Sequence, residues 1–263
     1  MTENGASVLT VIPARYASQR LPGKPLIDLN GKTMIERVYE QVKQARLVGQ
    51  ILVATDDDRI MEAVRSFGGN AVLTDPSLPS GSDRVAAAVE NSGADIVVNV
   101  QGDEPLIPPA MIDETIQNLI ETPEAGVSTP ARVITDAADI ANPNCVKVVT
   151  DLRGRAMYFS RSPVPYIRDE NKTSRWPEAY TFLKHFGLYV YRRHILEEFV
   201  KLERTPLERA EQLEQLRLLE NGIWVQVVIS RYESLPVDTA EDADYIRKIL
   251  NKDSKKSGGM NNV

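Results

Sequence analysis

Short apolar runs alternate with amphipathic stretches over the first half of the chain. Runs at 8–12, 51–54, 70–73 and 95–100 predict β-strands. Between them, apolar residues recur at helical spacing and predict helices at about 33–47, 57–67 and 82–91. Strands that alternate with helices are typical of βαβ units, so the pattern predicts an α/β fold with a doubly wound, mostly parallel sheet.

The pattern changes after residue 125. Strand-like runs at 126–133, 145–150, 155–159 and 186–191 surround a loop over 162–180 that is rich in Pro and Arg. We predict a smaller mixed α/β lobe here, within about 126–200, more antiparallel and covering one side of the sheet. A helix at 206–220, a strand at 223–228 and a helix from 239 to about 250 follow. Residues 1–250 are thus predicted to form one domain, and 251–263 a flexible tail.

Composition narrows the class of protein. Lys and Arg number 31 against 37 Asp and Glu, a net charge of −6 that argues against a nucleic-acid partner. The single cysteine, Cys145, excludes an internal disulfide and fits a reducing compartment. No apolar run approaches the ~20 residues that span a bilayer, and no signal peptide is evident at the start. We therefore expect a cytoplasmic protein without a membrane partner.

The loop after the first apolar run carries three cations, Arg15, Arg20 and Lys24. Prolines and Gly23 stiffen this loop, and the carboxyl end of a leading strand is where open α/β sheets bind ligands. The charge indicates an anionic ligand such as a polyphosphate. A solvated basic loop is the alternative. Neither GxxxxGK[ST] nor GxGxxG is present, which disfavours a Walker A site and a dinucleotide-dependent oxidoreductase.

Three further segments carry candidate chemistry. Asp103 follows a predicted strand beside Gly102 and could hold Mg²⁺, or it could cap the turn before Pro105. Asp238 follows a late strand and could meet Asp103 across a metal, although Asp238 or Thr239 could equally cap the last helix. The loop at 79–84 opens a helix, and its backbone N–H groups favour an anion or a base edge. An ordinary capped helix start is the alternative there.

Taken together, these segments resemble one family. The similarity rests on Pro13-Ala14-Arg15, Leu21-Pro22-Gly23-Lys24-Pro25-Leu26, Val100-Gln101-Gly102-Asp103-Glu104-Pro105, Tyr158-Phe159-Ser160-Arg161 and Leu213-Glu214-Gln215-Leu216-Arg217. These motifs are similar to those of the sugar-acid cytidylyltransferases, and most closely to the branch that activates 3-deoxy-manno-octulosonate (KDO) for lipopolysaccharide synthesis. The resemblance spans about residues 8–250.

The resemblance implies the substrates CTP and KDO, the cofactor Mg²⁺ and a homodimer formed through the smaller lobe. It implies a nucleotide site made of Arg15, Arg20, Lys24, Ser80, Gly81, Ser82 and Arg84. It implies a sugar site made of Gln101, Arg161, Arg168, His185, Tyr189, Glu214 and Gln215. Asp103 and Asp238 would be the metal ligands, and Arg15, Lys24, Asp103 and Asp238 the catalytic residues. The cations of the sugar site would meet the KDO carboxylate.

Two alternative functions stay open at this point. A cytidylyltransferase for sialic acid or another sugar acid would share the first loop, because that loop serves the triphosphate. A nucleotide-binding sensor protein could use the same sheet, since a fold does not define a function. His185 and Tyr189 also have a structural alternative, as buried and hydrogen-bonded side chains of an apolar strand.

Overall fold

The computed structural model describes residues 5–17 and 21–258, with side chains described as far as residue 252. Within these residues a ten-stranded sheet is formed. Its strands are β1 (Val8–Ala14), β2 (Gln50–Thr55), β3 (Ala71–Leu73), β4 (Ile96–Asn99), β5 (Val127–Val133), β6 (Lys147–Thr150), β7 (Ala156–Ser160), β8 (Leu183–His185), β9 (Tyr189–Arg192) and β10 (Val225–Ile229).

The strands are connected and flanked by α-helices. These are α1 (Met34–Lys43), α2 (Asp58–Ser66), α3 (Gly81–Val89), α4 (Pro109–Glu121), α5 (Ala137–Ala141), α6 (Trp176–Ala179), α7 (Arg193–Phe199), α8 (Pro206–Glu211), α9 (Gln215–Glu220) and α10 (Ala240–Gly258). Short 3₁₀ turns lie at Lys24–Leu26 and Thr173–Arg175. Among the described helices, none combines the length and the apolar character that crossing a membrane requires.

The strand order is β3-β2-β1-β4-β9-β5-β8-β6-β7, and β10 pairs with β5. β1 lies parallel between β2 and β4, and β2 lies parallel to β3. This parallel half ends at β9, which runs antiparallel to both β4 and β5. The predicted α/β class with a mostly parallel first half is confirmed.

Both faces of the sheet are covered by helices, as in a doubly wound fold. Along β1, Val8 and Ile12 belong to one buried cluster, which α1, α2 and α4 complete. Leu9 and Val11 belong to the opposite cluster, which α3, α7 and α9 complete. Successive strand residues point to opposite faces, so a strand buried on both sides appears in the sequence as a continuous apolar run.

Two sequence predictions in the second half need correction. The antiparallel strands β6, β7 and β8 extend the edge of the same sheet and do not cover one of its sides. The predicted helix at 206–220 is two helices, α8 and α9, separated at Gln212, whose φ of 53° is left-handed. Strand β8 was missed because three residues are too short to show a period.

The last helix is longer than its apolar pattern indicates. The sequence predicts an end near residue 250, whereas α10 continues to Gly258. Its first turns pack against the start of α1, where Val237, Ala243 and Ile246 form a small cluster with Leu29 and Met34. This packing brings the segment before α10 next to the first loop.

Candidate functional site

The carboxyl ends of β1 and β4 border a cavity of about 220 Å³. Arg15, Lys24, Gln101 and Asp103 line it. Gly102 lies so close to β1 that a Cβ atom there would be 2.7 Å from the carbonyl oxygen of Pro13. Only glycine allows the two strand ends to approach in this way, which is why the cations of one loop face the carboxylate of the other.

Lys24 joins the two predicted metal ligands. Its Nζ lies 2.7 Å from Asp103 Oδ2 and 3.0 Å from Asp238 Oδ1, with 13% of the lysine side chain exposed. Gly23, at φ +68°, turns the chain into the 3₁₀ turn that begins at Lys24. Two carboxylates 135 positions apart in sequence thus converge on one cation, as the sequence predicted for a shared site.

Thr239 and Asp242 cap the last helix. Thr239 Oγ1 accepts a hydrogen bond from the Asp242 amide at 3.2 Å, and Asp242 Oδ2 accepts from the amides of Asp238 and Thr239. This reciprocal arrangement satisfies the helix start without the Asp238 carboxylate. The amide of Val237 also donates to the Asp103 carbonyl at 2.9 Å. The loop that carries Asp238 is therefore fixed to the loop that carries Asp103.

A third carboxyl group lies directly behind this pair. Glu104 is 8% exposed, and the buried hydroxyl of Ser234 donates to its Oε2. Burial raises the pKa of Glu104 to about 7, and the charges of Asp103 and Asp238 add to the effect, while Ser234 and Lys24 oppose it. Glu104 and Ser234 form a second link between the loops of Asp103 and Asp238, one that the sequence did not indicate.

This environment predicts a pH effect on stability. The pKa of Glu104 rises from 4.5 when unfolded to about 7 when folded, so the unfolded chain loses this proton first. The protonated Glu104 therefore contributes up to about 3 kcal/mol to the free energy of unfolding. This contribution is fully present below about pH 4.5 and is lost as the pH rises through 7. Glu104→Gln should remove this loss, because the amide does not ionise. Urea unfolding of both proteins at pH 5 and pH 8.5 measures it; equal pH dependence would contradict the assignment.

The loop before α3 approaches the same edge. Ser80 caps the helix by accepting from the Asp83 amide at 3.1 Å, and Gly81 lies beside Pro13 of β1. Arg15 reaches the same loop, since its Nη2 donates to the Leu78 carbonyl at 2.6 Å. A nucleotide bound at the loop after β1 could therefore contact Ser80 and Gly81.

Two residues in the first turn of α3 are placed differently from the expectation. Arg84 is fully buried, and its guanidinium donates to Asp56 Oδ2 at 2.7 Å and to Thr74 Oγ1. Ser82 is 2% exposed, and its hydroxyl donates to Glu214 Oε2 at 2.7 Å. Neither side chain is exposed to a nucleotide in this arrangement. Their hydrogen bonds to Asp56, Thr74 and Glu214 instead stabilise the start of α3. Arg20, the remaining candidate of the nucleotide site, lies outside the described residues.

Arg161 stands at the end of β7 on a second cavity, of about 720 Å³. Asp238, Thr239 and Asp242 line the same cavity. The Arg161 guanidinium donates to the carbonyls of Pro143, Glu211 and Gln212 at 3.0, 2.7 and 3.4 Å. Asp238 therefore lies at the border between the cavity of the cations and the cavity of Arg161.

His185 and Tyr189 lie in a row of rings across the second half of the sheet. The His185 ring is 4.8 Å from Phe159 and 5.5 Å from Tyr189, between ring centroids, and its Nε2 is 2.8 Å from Thr129 Oγ1. Burial lowers the pKa of His185 to about 3, so the imidazole is neutral at physiological pH. The half-buried His185 ring can exchange hydrogen bonds with a bound ligand.

The other predicted sugar-site residues are spread along this side. Gln101 reaches towards Gly187, where a Cβ atom would be 3.4 Å from its Cγ. Glu214 contacts Ser82 at the start of α9, while the neighbouring Gln215 is 4% exposed. Arg168 is exposed in the loop between β7 and α6, and the structure does not bring it to the groups named above.

A sheet of this topology, with cations and paired carboxylates at the carboxyl edge of its parallel strands, defines a nucleotide-binding α/β protein. A family model described as "Cytidylyltransferase" matches residues 9–233. The chain belongs to the cytidylyltransferase family, as its motifs predicted.

Curated relatives and solved structures support this membership. The 3-deoxy-manno-octulosonate cytidylyltransferase of Geobacter sulfurreducens is 50% identical over 94% of this chain and 99% of its own length. That of Chloroherpeton thalassium is 48% identical over 93% and 98%. A solved structure of CMP:2-keto-3-deoxy-manno-octonic acid synthetase complexed with CTP has a TM-score of 0.88 at 41% identity, covering 94% of this chain and all of that one. A 4-diphosphocytidyl-2C-methyl-D-erythritol synthase from Anaerococcus prevotii shares the fold, with a TM-score of 0.62 at 16% identity.

Proposed function

We propose that the protein is a cytidylyltransferase that activates KDO for lipopolysaccharide synthesis. CTP and KDO would give CMP-KDO and diphosphate. The anomeric hydroxyl oxygen of KDO forms a bond to the α-phosphorus of CTP, the bond from that phosphorus to the oxygen bridging to the β-phosphate breaks, and the hydroxyl proton is released. Phosphoryl transfer of this kind depends on positioning and charge neutralisation more than on covalent help from the protein.

The observation that carries the proposal is the position of the two carboxylates. Asp103 and Asp238 converge on Lys24 where the cavity of Arg15 approaches the cavity of Arg161. A triphosphate on the Arg15 side and a sugar acid on the Arg161 side would meet at this border. The identity of 50% to a KDO cytidylyltransferase over nearly the whole chain supports the choice of substrates.

The carboxylates fit a magnesium ion. Both lie within hydrogen-bond distance of one cation, and carboxylate oxygens are ligands that Mg²⁺ prefers. Mg²⁺ commonly binds one or two carboxylates and keeps water and phosphate oxygens as its other ligands. When bound to Asp103 and Asp238, Mg²⁺ would supply charge stabilisation to the reacting phosphate.

The chain's own cations complete the nucleotide side. Arg15 and Lys24 line the same cavity, and both would neutralise charge that develops on the departing diphosphate. Lys24 holds the carboxylates together in the structure described here, so its ammonium becomes available to a phosphate oxygen once another cation balances them. The described motifs offer no evident general base, and we assign none.

The test is diphosphate release from CTP and Mg²⁺ with KDO or with sialic acid as the acceptor. We expect turnover with KDO and a much lower rate with sialic acid. A preference for sialic acid would assign the protein to the other branch of the family. CTP binding without diphosphate release from either acceptor would mean a nucleotide-binding sensor and would refute the enzyme.

The first loop offers a prediction about CTP binding. The Gly23 amide donates to the Tyr16 carbonyl at 3.1 Å, and the Arg59 Cζ lies 3.3 Å from the centroid of the Tyr16 ring. Arg59 therefore stabilises the loop between Arg15 and Lys24. Arg59→Ala should raise the KM for CTP about two- to fivefold, the size of one exposed cation–π contact, and leave the KM for KDO unchanged. Arg65→Ala, an exposed arginine of the same helix, is the control; equal effects of both variants would contradict this role.

We also propose a cytoplasmic homodimer. β7 is the last strand in the order of the sheet, and Met157 on it is 64% exposed. Leu152 and Ile229 are further exposed apolar side chains of the same part of the fold. Exposed apolar groups in one region favour association. Light scattering of the purified protein tests this, and a mass of one chain at working concentration would refute it.

A further inference from the structure

A single side chain, Glu211, connects two segments that carry predicted sugar-site residues. Arg161 directly follows β7, and some 50 positions later Glu214 precedes α9 and Gln215 begins it. Glu211 is the last residue of α8 and lies between them, half-buried. Its carboxylate contacts the end of β7 and the residue that follows it.

Both carboxylate oxygens of Glu211 accept hydrogen bonds from β7 and the residue that follows it. Ser160 Oγ donates to Oε1 at 2.7 Å, and the Arg161 amide donates to Oε2 at 2.9 Å. The Arg161 Nε returns a bond to the Glu211 carbonyl at 2.7 Å. Side chain and main chain of Glu211 thus hold Arg161 from two directions.

Arg161 also contacts the break between α8 and α9. Gln212 has a left-handed φ of 53°, an unfavourable conformation for a residue with a Cβ atom. Its carbonyl accepts from Arg161 Nη2 at 3.4 Å, and its own Nε2 donates to the Arg209 carbonyl at 2.6 Å. The bonds to Arg161 help to offset the strain, and the break directs Glu214 towards Ser82.

A buried lysine fixes the other side of Arg161. Lys147 is fully buried, and its Nζ donates to the carbonyls of Arg161 and Asn142 at 2.6 and 2.9 Å. The backbone of residue 161 is therefore clamped by an ammonium on its carbonyl and a carboxylate on its amide. An arginine anchored in this way loses less conformational entropy when it binds an anion.

We propose that Glu211 is a positioning residue for the sugar-acid half of the reaction, holding Arg161 and the start of α9 in the geometry that receives the acid. This inference rests on the proposed function. Glu211 acts through Arg161, because its carboxylate oxygens accept from Ser160 and from the Arg161 amide.

The first test compares Glu211→Ala and Glu211→Gln with the wild-type enzyme. We expect Glu211→Ala to raise the KM for KDO at least about tenfold, the effect of losing hydrogen bonds to a charged acceptor, with the KM for CTP unchanged within about twofold. Glu211→Gln can keep its amide oxygen on the Arg161 N–H but loses the negative charge that strengthens both bonds, so its KM for KDO should fall between the two. Glu203→Ala, an exposed glutamate nearby, is the matched control and should behave as wild type.

Several results would overturn this role. One is an unchanged KM for KDO in folded Glu211→Ala, and another is an equal rise in both KM values, which a merely structural role would produce. If Glu211→Ala does not fold, Glu211→Gln, which removes the charge, and Ser160→Ala, which removes one donor, decide by the same criterion. Ser160→Ala should raise the KM for KDO and leave that for CTP unchanged.

A crystal structure of a folded variant separates this inference from the proposed function. In Glu211→Ala, or in Glu211→Gln if the alanine variant does not fold, the Arg161 guanidinium should leave the carbonyls of residues 211 and 212. Its persistence there would refute the positioning role, whatever the substrate. Absence of wild-type turnover with KDO would instead refute the proposed function, and the position of Arg161 would still decide whether Glu211 holds it.

Discussion

Asp103→Asn or Asp238→Asn is expected to lower kcat for diphosphate release from CTP and KDO by at least about 1,000-fold at saturating Mg²⁺. The reason is the loss of one of two carboxylates that converge on a single cation. Charge stabilisation of phosphate by a held metal is worth several kcal/mol, and each 1.36 kcal/mol is about tenfold in rate. Initial rates at increasing Mg²⁺ concentration provide the measurement.

The control for this experiment is Glu241→Gln, which neutralises an exposed carboxylate in the first turn of α10. It should retain wild-type turnover. Thermal unfolding of the two aspartate variants should stay close to wild type, because both side chains are about one third exposed. Nearly intact turnover in either aspartate variant would mean that the carboxylates do not hold a catalytic metal.

Arg84→Met is expected to lower the free energy of unfolding by about 3–5 kcal/mol, the cost of breaking a buried ion pair by removing one partner. Arg84 is fully buried, and its Nη2 donates to Asp56 Oδ2 at 2.7 Å. Burial lowers the pKa of the Arg84 guanidinium, and Asp56 opposes that shift. Removal of the arginine leaves the Asp56 carboxylate, which is 15% exposed, without this partner. Urea unfolding monitored by circular dichroism measures the loss.

The double variant Arg84→Met with Asp56→Asn tests the cause. It should recover a substantial part of the lost stability, since no unpaired carboxylate remains. Arg65→Met, on the exposed side of α2, is the control and should unfold as wild type does. An Arg84→Met protein as stable as wild type would show that Arg84 does not support the loop before α3.

The parallel half of the fold could be predicted because its signals are local. Val8 to Ile12 form an apolar run, and Met34, Ile35, Val38 and Val42 recur at helical spacing; all of the residues named in α1 are fully buried. The first loop could likewise be recognised from its cations and prolines. Its meeting with Asp103 followed from the rule that parallel strands end at one edge. Asp238 is brought there by the packing of α10 against the start of α1.

The break at Gln212 could not be predicted in this way. Leu207, Ala210, Leu213 and Leu216 fit one helix, and neither Gly nor Pro marks an end. The break is held by Arg161 from a distant strand and by the buried pair Glu208–Arg217, with 2.7 Å between Oε1 and Nη2, which ties α8 to α9. Interactions of such range leave no periodic signal.

The sequence by itself determined the α/β class, the order of the first strands and helices, the family, and the loop whose cations face the paired carboxylates. Tertiary structure alone decided that Arg84 and Ser82 are buried beneath the loop before α3, that His185 packs among aromatic rings, and that Glu104 and Glu211 connect distant segments. The physical reason is that residue type and spacing report local periodicity and charge. Burial and hydrogen-bond partners depend on segments 50 to 130 positions away.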